Sequence, residues 1–498
     1  MNFLDRMIGF VAPQAGLARV TARAQAAVVM NYDAASRGRR TYGWKAPATS
    51  ADAAAHMSRE RLRQLSRDMM RNRAYAARAR DVIVANVVGE GIQPSVRSDD
   101  DAHKDKVKDM VRRHLLSTSL DTGEEYDLLE MQQICMAAVV TDGEVLIRRR
   151  MRNTRYGRGL ALPYQVELLE ADYLDMTVQS YGQNLVVEGV EYGPTGAVEA
   201  YHLYNEHPGA VRHRNPLAST RVHWSDVIHL RRFDRPGQTR GVPWLAPVMM
   251  TLGELADYQE AQILKQRISA LMAIVLKYAT GSTRPADAGS GLEDLAPGAV
   301  VELPEGAEPT VVQPPSVDGY DEFMGRSLRT VAAGLGITYE SLTADLRGVN
   351  FSSGRMGRNE MDRLVRMWQR GLMVMQFGTG MERWFREGLR LAGMGDLTFT
   401  LDWTPPRRIL VDPVKEIPAM IEEVDAGLNS RQGVQRELGR DPDRIREERI
   451  QDAEADRAMS APPIAPRKPT APTPAAPDPE EEPDDPETQK DDDDANGQ

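Results

Sequence analysis

The chain is poor in the residues that most catalytic and secreted folds rely on. It has one cysteine, Cys135, in 498 residues. An intramolecular disulfide and a thiolate zinc site are both excluded, and a reducing compartment suits the chain. A lone cysteine of this kind reads as a small buried apolar residue. Aromatic residues make up only 6%. No apolar run approaches the roughly 20 residues of a membrane span. The longest, ALMAIVL at 270–276, reads as part of a buried helix. The first twenty residues carry Asp5 and a broken apolar stretch, so they read as a short amphipathic arm and not as a signal peptide.

Nucleotide and nucleophile motifs are missing as well. There is no Gly-Lys pair, hence no phosphate-binding loop of the G-x-x-x-x-G-K-[ST] type. There is no G-x-S-x-G elbow, because Phe351 and Asn350 precede Ser352 and Ser353. There is no H-E-x-x-H. His202, His207, His213, His223 and His229 lack ligand spacing and read as satisfied structural histidines. Glu167, Glu170, Asp172 and Asp175, in VELLEADYLD, could hold a divalent ion in principle. No lysine accompanies them, and a strand running into a turn accounts for them equally well. No catalytic residue, metal ligand or cofactor is assigned.

What the chain does have is charge asymmetry. The net charge of −11 is concentrated at the end: residues 461–498 hold eleven acidic and three basic residues. Residues 1–97 hold sixteen Lys or Arg and seven Asp or Glu. A basic head of this kind meets nucleic acid or an acidic partner, or forms a solvated helix face. The acidic tail, rich in Pro and Ala, cannot bury enough apolar surface to offset its ordering entropy, and disorder is expected.

The length implies more than one structural module. Leu62, Leu65, Met69, Ala76, Ile83 and Val87 recur at helical spacing, which predicts one helix over 58–88 capped by Ser58 and ended by Gly89. From 142 to 232, short β-rich runs alternate with Gly, Pro and Asn. A rigid loop at 234–249 precedes a helix predicted over 250–278. A small β excursion at 281–319 leads to a second helix over 320–334. A third helix is expected over 355–390, and shorter ones over 413–426, 431–438 and 443–458.

The third helix is two-faced. Arg355, Arg358, Arg363, Arg366 and Arg370 fall within an arc of about 140°. Met361, Leu364, Trp368, Leu372 and Met375 are expected on the opposite, packing side. Just before it lies GVNFSSGRMG (348–357), polar and glycine-rich, with Arg347 beside it and Arg355 within it. Small hydroxyls and arginines make contacts to a phosphate backbone without reading bases.

At this point the sequence resembles the lambda-family portal proteins of tailed bacteriophages. The resemblance rests on NYDAASRGRRTYGW (31–44), RQLSRDMMRNRAYAARARDVIVANVVGEGIQP (63–94), DRPGQTRGVPWLAPVM (234–249), AAGLGITYESLTADLRGVNFSSGRMG (332–357), LDWTPPRRILVDPVKE (401–416) and GLNSRQGVQRELGRDP (427–442). These blocks stand in the family's order over roughly residues 25–445.

The resemblance implies a non-enzymatic α+β portal fold, placed as follows. A basic arm covers 1–57 and a β-rich wing 58–249. Stem helices occupy 250–280 and 320–340 around a β clip at 281–319. A tunnel loop spans 341–357. A long channel-to-wing helix with a return strand fills 358–411, crown helices 412–460, and the disordered acidic tail 461–498. It implies a homo-oligomeric ring, typically of about twelve subunits, at one capsid vertex of the virion, assembled in the host cytoplasm. Double-stranded DNA passes through it during packaging and ejection without sequence-specific contact. Its partners are the terminase large subunit, the major capsid protein and head-completion proteins, with no membrane. The tunnel loop then carries Arg347, Asn350, Phe351, Ser352, Ser353 and Arg355 toward DNA, with Phe351 anchoring it against the stem. Arg358, Arg363, Arg366 and Arg370 face either the channel or a neighbouring subunit, and the pattern leaves both open. The competing readings are a monomeric nucleic-acid-binding module and a metal-dependent nuclease of a packaging system.

Overall fold

The computed structural model describes residues 48–153, 159–270, 274–278, 307–311, 319–406, 412–440 and 442–458, with a few isolated positions nearer the N-terminus. The expected acidic tail, most of the basic arm and most of the 281–319 excursion lie outside the described residues. The chain divides into two compact units, Met1–Pro406 and Arg407–Gln498.

The first unit opens with α1 (Ala51–Ala55), α2 (Arg59–Asn72) and α3 (Ala74–Val87). The single helix expected over 58–88 is therefore two. Arg73 adopts an extended conformation between them, and the apolar stripe resumes at a new angle, with Ala76, Ala79, Ile83 and Val87 fully buried. Next come β1 (Gln93–Arg97) and α4 (Asp101–Met110), which runs into a π turn at Val111–Leu115.

α5 (Leu128–Asp142) is the centre of the core. A reciprocal cap between Asp127 and Glu130 starts it, satisfying donors at its first turn. Its Leu128, Met131, Cys135, Met136 and Val139 are all fully buried. Gly143, at φ 92°, ends it in the left-handed conformation and turns the chain directly into β2 (Glu144–Met151).

β2 is the middle strand of an antiparallel three-stranded sheet with β3 (Tyr164–Leu169) on one side and β9 (Val227–Arg231) on the other. Between those two in sequence, β4 (Ser180–Tyr181), β5 (Asn184–Val187), β6 (Val190–Tyr192), β7 (Val198–Tyr204) and β8 (Ser219–His223) form an antiparallel meander. Leu146, Leu169, Leu174, Val190, Tyr201, Leu203, Val222 and Val227 make a second, smaller core between meander and sheet. The β-rich reading of 142–232 thus matches the architecture.

α6 (Met249–Ala270) follows. The apolar run at 270–276 does not continue it: Ile274–Tyr278 is a strand, β10, paired antiparallel with β11 (Ala307–Val311). A short apolar run carries no periodicity to separate helix from strand, and β-branched Ile274 and Val275 favour the strand. α7 (Tyr320–Leu335) packs against α6 through Tyr258, which stacks on Tyr320 and meets Phe323. α8 (Tyr339–Thr343) and α9 (Phe351–Trp368) come next. A π-helical stretch, Gln369–Gly378, joins α9 to α10 (Thr379–Leu391), and β12 (Thr400–Thr404) pairs with β1.

The second unit holds α11 (Pro413–Asp425), α12 (Arg431–Glu437) and α13 (Pro442–Ala458). Asp412 caps α11 with proline at its first position, and Ser430 caps α12. Among the described residues no helix is long and apolar enough to cross a membrane.

Candidate nucleic-acid interface

The stretch 341–357, expected as a loop, is largely helical at both ends. Its first residues lie in α8, and Phe351 already begins α9. Ser352, Ser353 and Arg355 therefore stand on the first turns of a helix and not in a loop. The reason is local. The Asn350 side chain accepts from the Ser353 amide at 2.8 Å, and the Ser353 hydroxyl lies 3.2 Å from the Asn350 amide. This reciprocal cap nucleates a helix that two glycines, Gly354 and Gly357, would otherwise discourage. The remaining connection, 344–350, is exposed or half-buried. Ala344 and Gly348 both have positive φ, so two tight reversals shape it.

Arg347 projects from this connection with 85% of its side chain exposed. It holds Asp345 in a two-pronged pair, Nε to Oδ1 and Nη2 to Oδ2, each at 2.9 Å. These bonds hold the Asp345 carboxyl down to about 2 and push the guanidinium up. Ser352, Ser353 and Arg355 are exposed. At the first turn of α9 the exposed Ser352 and Arg355 stand at the positive end of the helix, an arrangement that attracts anions.

Further along α9, Arg363, Arg366 and Arg370 are exposed and Arg358 is half-buried. Arg358 lies 3.3 Å from Asp362, and Arg363 lies 3.3 Å from Glu360. Among the described residues, Arg355, Arg366 and Arg370 make no ion pair. The packing side differs from the expected one. Met361, Val365, Leu372, Met373 and Phe377 are buried, Leu364 and Trp368 are half-buried, and Met375 is exposed. The π-helical stretch adds residues per turn and rotates the stripe, moving Met375 off the core face.

Three arginines in the second half of the basic head behave otherwise. Arg59 and Arg63 are almost fully buried, and Arg67 is 23% exposed in its side chain. They line an ion network that the sequence did not reveal. Arg59 meets Glu188, whose other oxygen is 2.6 Å from His56. Arg63 meets Asp172 at 3.1 Å. Arg67 holds Asp142 and Asp172 at 2.6 Å and Glu170 at 2.9 Å. Arg240, fully buried, holds Glu144 at 2.7 Å and donates to the carbonyls of Glu188 and Ala171. These residues come from the end of α1, from α2, α5 and β2, from the turns after β3 and before β6, and from the loop before α6. They lock those elements together, so they are not available to nucleic acid.

The acidic run 167–175 is consumed in the same way. Glu167 pairs with Arg150 at 2.6 Å, and Asp175 accepts from Thr177 and Tyr204. Glu170, Asp172 and His207 each offer one ligand atom within 4.8 Å of the others. The cation they face is the Arg67 guanidinium, which satisfies both carboxylates and leaves little demand for a metal. The five histidines of the β region are partnered: His202 with Glu191, His207 with Glu170, His213 with Glu206, His223 with Ser225 and His229 with Glu144. Burial pushes the Cys135 thiol up, out of the reactive range.

Comparison with known proteins adds the following. A family model described as phage portal protein, lambda family, matches residues 37–369. A probable portal protein of Halomonas phage phiHAP-1 is 26% identical over 456 residues, covering 85% of this chain and 86% of the relative. Among solved structures, a chain from the neck of a native GTA particle aligns with a TM-score of 0.46 at 13% identity. That alignment covers 81% of this chain and 98% of the other. An HK97 family phage portal protein from Corynebacterium diphtheriae aligns with a TM-score of 0.33 at 12% identity, over 70% of this chain and 96% of the other.

Proposed function

Because the chain belongs to the lambda family of phage portal proteins, we propose that it assembles into a closed ring at one capsid vertex and serves as the conduit for double-stranded DNA during packaging and ejection. The family is structural and is not a family of enzymes. The observation that carries the reading is the family match over 37–369, which runs from the basic head through the whole of α9. In this reading α6 and α7 are the stem helices, β10 and β11 belong to the clip on which the terminase docks, and α11 to α13 form the crown. The connection 344–350 and the first turn of α9 are the tunnel segment. Head-completion proteins take the place of the terminase once packaging ends.

A conduit must hold DNA without gripping it. Arg347, Ser352 and Arg355 suit that task, since they are exposed and offer phosphate contacts with no bidentate base reader on a groove-binding element, while Asn350 and Ser353 hold the cap that presents them. Phe351 is the expected anchor of the segment. The buried ion network ties Arg59, Arg63 and Arg67 into the first unit, whereas Arg347 and Arg355 stay exposed at the start of α9.

The test is native mass spectrometry and electron microscopy of the purified chain. A closed ring of about twelve copies with an open centre is expected. A chain that stays monomeric at every salt concentration overturns the conduit.

A further inference from the structure

Among the described residues, two helix faces of the first unit are left without a partner, and they are complementary. On α9, Arg363, Arg366 and Arg370 surround Met367, which is 66% exposed. They lie on one side of the helix, within about 100° of each other, and span about 10 Å along it. On α6, Glu254, Asp257 and Glu260 are exposed and span about 9 Å. Met250 and Leu264, 77% and 56% exposed, flank them on the same face. Among the described residues, none of Glu254, Asp257, Glu260, Arg366 and Arg370 makes an ion pair.

Resting on the ring reading above, we propose that these two faces meet between adjacent copies of the chain, the α9 face of one against the α6 face of the next. The two patches differ, so the contact is head-to-tail, and a contact of that type closes into a ring when its rotation allows. Three observations favour a second copy over a DNA backbone as the occupant of the α9 face. An exposed methionine stands among the arginines, and methionine with arginine is the composition of protein interfaces, whereas a phosphate surface offers Met367 nothing. Arg363 is already shared with Glu360, a carboxylate that would repel phosphates. The same chain supplies an acidic face of matching length with apolar ends for Met367 to pack on.

The interface makes a demand on mixtures that few other arrangements make. The variant R366E/R370E carries two acidic faces, and D257R/E260R carries two basic faces. Neither assembles alone. Mixed in equal amounts they alternate, since every contact then joins opposite charges. Native mass spectrometry should show ring abundance reduced at least tenfold for each variant alone, and rings containing both chains in equal number for the mixture. Far-UV circular dichroism of each variant verifies that it is folded.

A second measurement does not depend on charge reversal. Cys135 is buried, so a Met367→Cys/Leu264→Cys chain carries one reactive pair. Oxidation of its rings should give a ladder of linked multimers on denaturing gels, absent from either single substitution. Rings that form from each charge variant alone, or rings of the cysteine variant that give no ladder, overturn the pairing while leaving the conduit standing. If the charge variants form normal rings but retain less DNA, the α9 face belongs to the nucleic acid instead. If the unaltered chain forms no ring at all, the ring reading falls and takes this interface with it.

Discussion

The Nε2 of His229 lies 2.8 Å from the Oε2 of Glu144, with both side chains withdrawn from solvent. The same carboxylate accepts from the Gly241 amide, and its other oxygen accepts from Arg240. Burial alone would push Glu144 up. Arg240 and His229 outweigh it and hold the carboxyl well below its usual range. A fully buried Glu144–Arg240 pair is costly to break from one side, because the survivor is left as an unpaired charge in the interior. E144Q should therefore destabilise the first unit by about 3–5 kcal/mol. The double variant E144L/R240L should cost less than the sum of the two single changes by about 1–3 kcal/mol. Denaturant titration of the two singles and the double measures this coupling, and simple additivity would show that the pair is not a unit.

Acid sensitivity should come first from two histidines. Burial lowers His114 to about 4; it lowers His229 to about 4 as well, with Arg231 adding to it. His114 packs edge-on against Tyr164 with ring centroids 4.6 Å apart, and neither of its ring nitrogens has a hydrogen-bond partner. The unfolded chain binds these protons near 6.5 and the folded chain only near 4. The stability they withhold is thus lost as pH falls from about 6.5 to about 4 and levels off below that. Each contributes up to about 3 kcal/mol. H114F, which keeps the ring contact, should narrow the gap in thermal midpoint between pH 7 and pH 4.5. An unchanged gap would show that His114 is not buried neutral.

The junction of α5 and β2 should tolerate no side chain. A Cβ on Gly143 would lie 2.5 Å from the Val242 amide nitrogen, at a φ of 92° that L residues avoid. A Cβ on the facing Gly241 would lie 2.5 Å from the Gly143 carbonyl carbon. Backbone meets backbone here, so neither side can yield by a rotamer change. G143A should cost at least about 3 kcal/mol. G196A, at an open turn with nothing within 4 Å, carries only the strain of its positive φ and should cost less. Thermal midpoints of the two variants decide whether the close approach matters beyond the backbone angle.

Some helix ends were readable from the sequence, although Ser58, expected to cap the first helix, makes no side-chain cap bond. Asp412 with Pro413, Ser430, and Gly336 after Leu335 each mark a boundary within a residue or two of the observed one. Boundaries without such signs were misplaced. Arg73 breaks α2 from α3 with neither glycine nor proline, and Asn350 opens α9 by a cap hidden inside a glycine-rich stretch. The ion network was illegible for a different reason. Arg67 finds Asp142 and Asp172 across 75 and 105 residues of chain. Local spacing puts Arg63 and Arg67 off the apolar stripe, but only the fold shows that their face is also buried. The same limit hid the rotation of the α9 stripe, since a π-helical stretch changes the period on which an angular reading depends.

The tunnel segment yields the sharpest functional expectation. Among the described residues Arg347 pairs only with Asp345, two residues away and at the surface, and an exposed pair of this kind is easily exchanged for another anion. Arg355 has no ion-pair partner among the described residues, and it stands one turn into a helix whose positive N-terminal end already favours phosphate. Removing both guanidiniums leaves Asp345 uncompensated, so on the proposed conduit reading the change is from attraction to repulsion and not merely to neutrality. Neither side chain packs in the core, and ring assembly should be untouched. R347A/R355A should therefore give rings in normal amount by native mass spectrometry while the yield of DNA-filled particles falls several-fold. The deficit should be greatest at low salt, where phosphate contacts to exposed cations are strongest. D345N in the R347A/R355A background removes the repulsion and should recover part of the loss. Normal filling by R347A/R355A would place the DNA path elsewhere, and loss of rings would make these arginines part of the subunit contact.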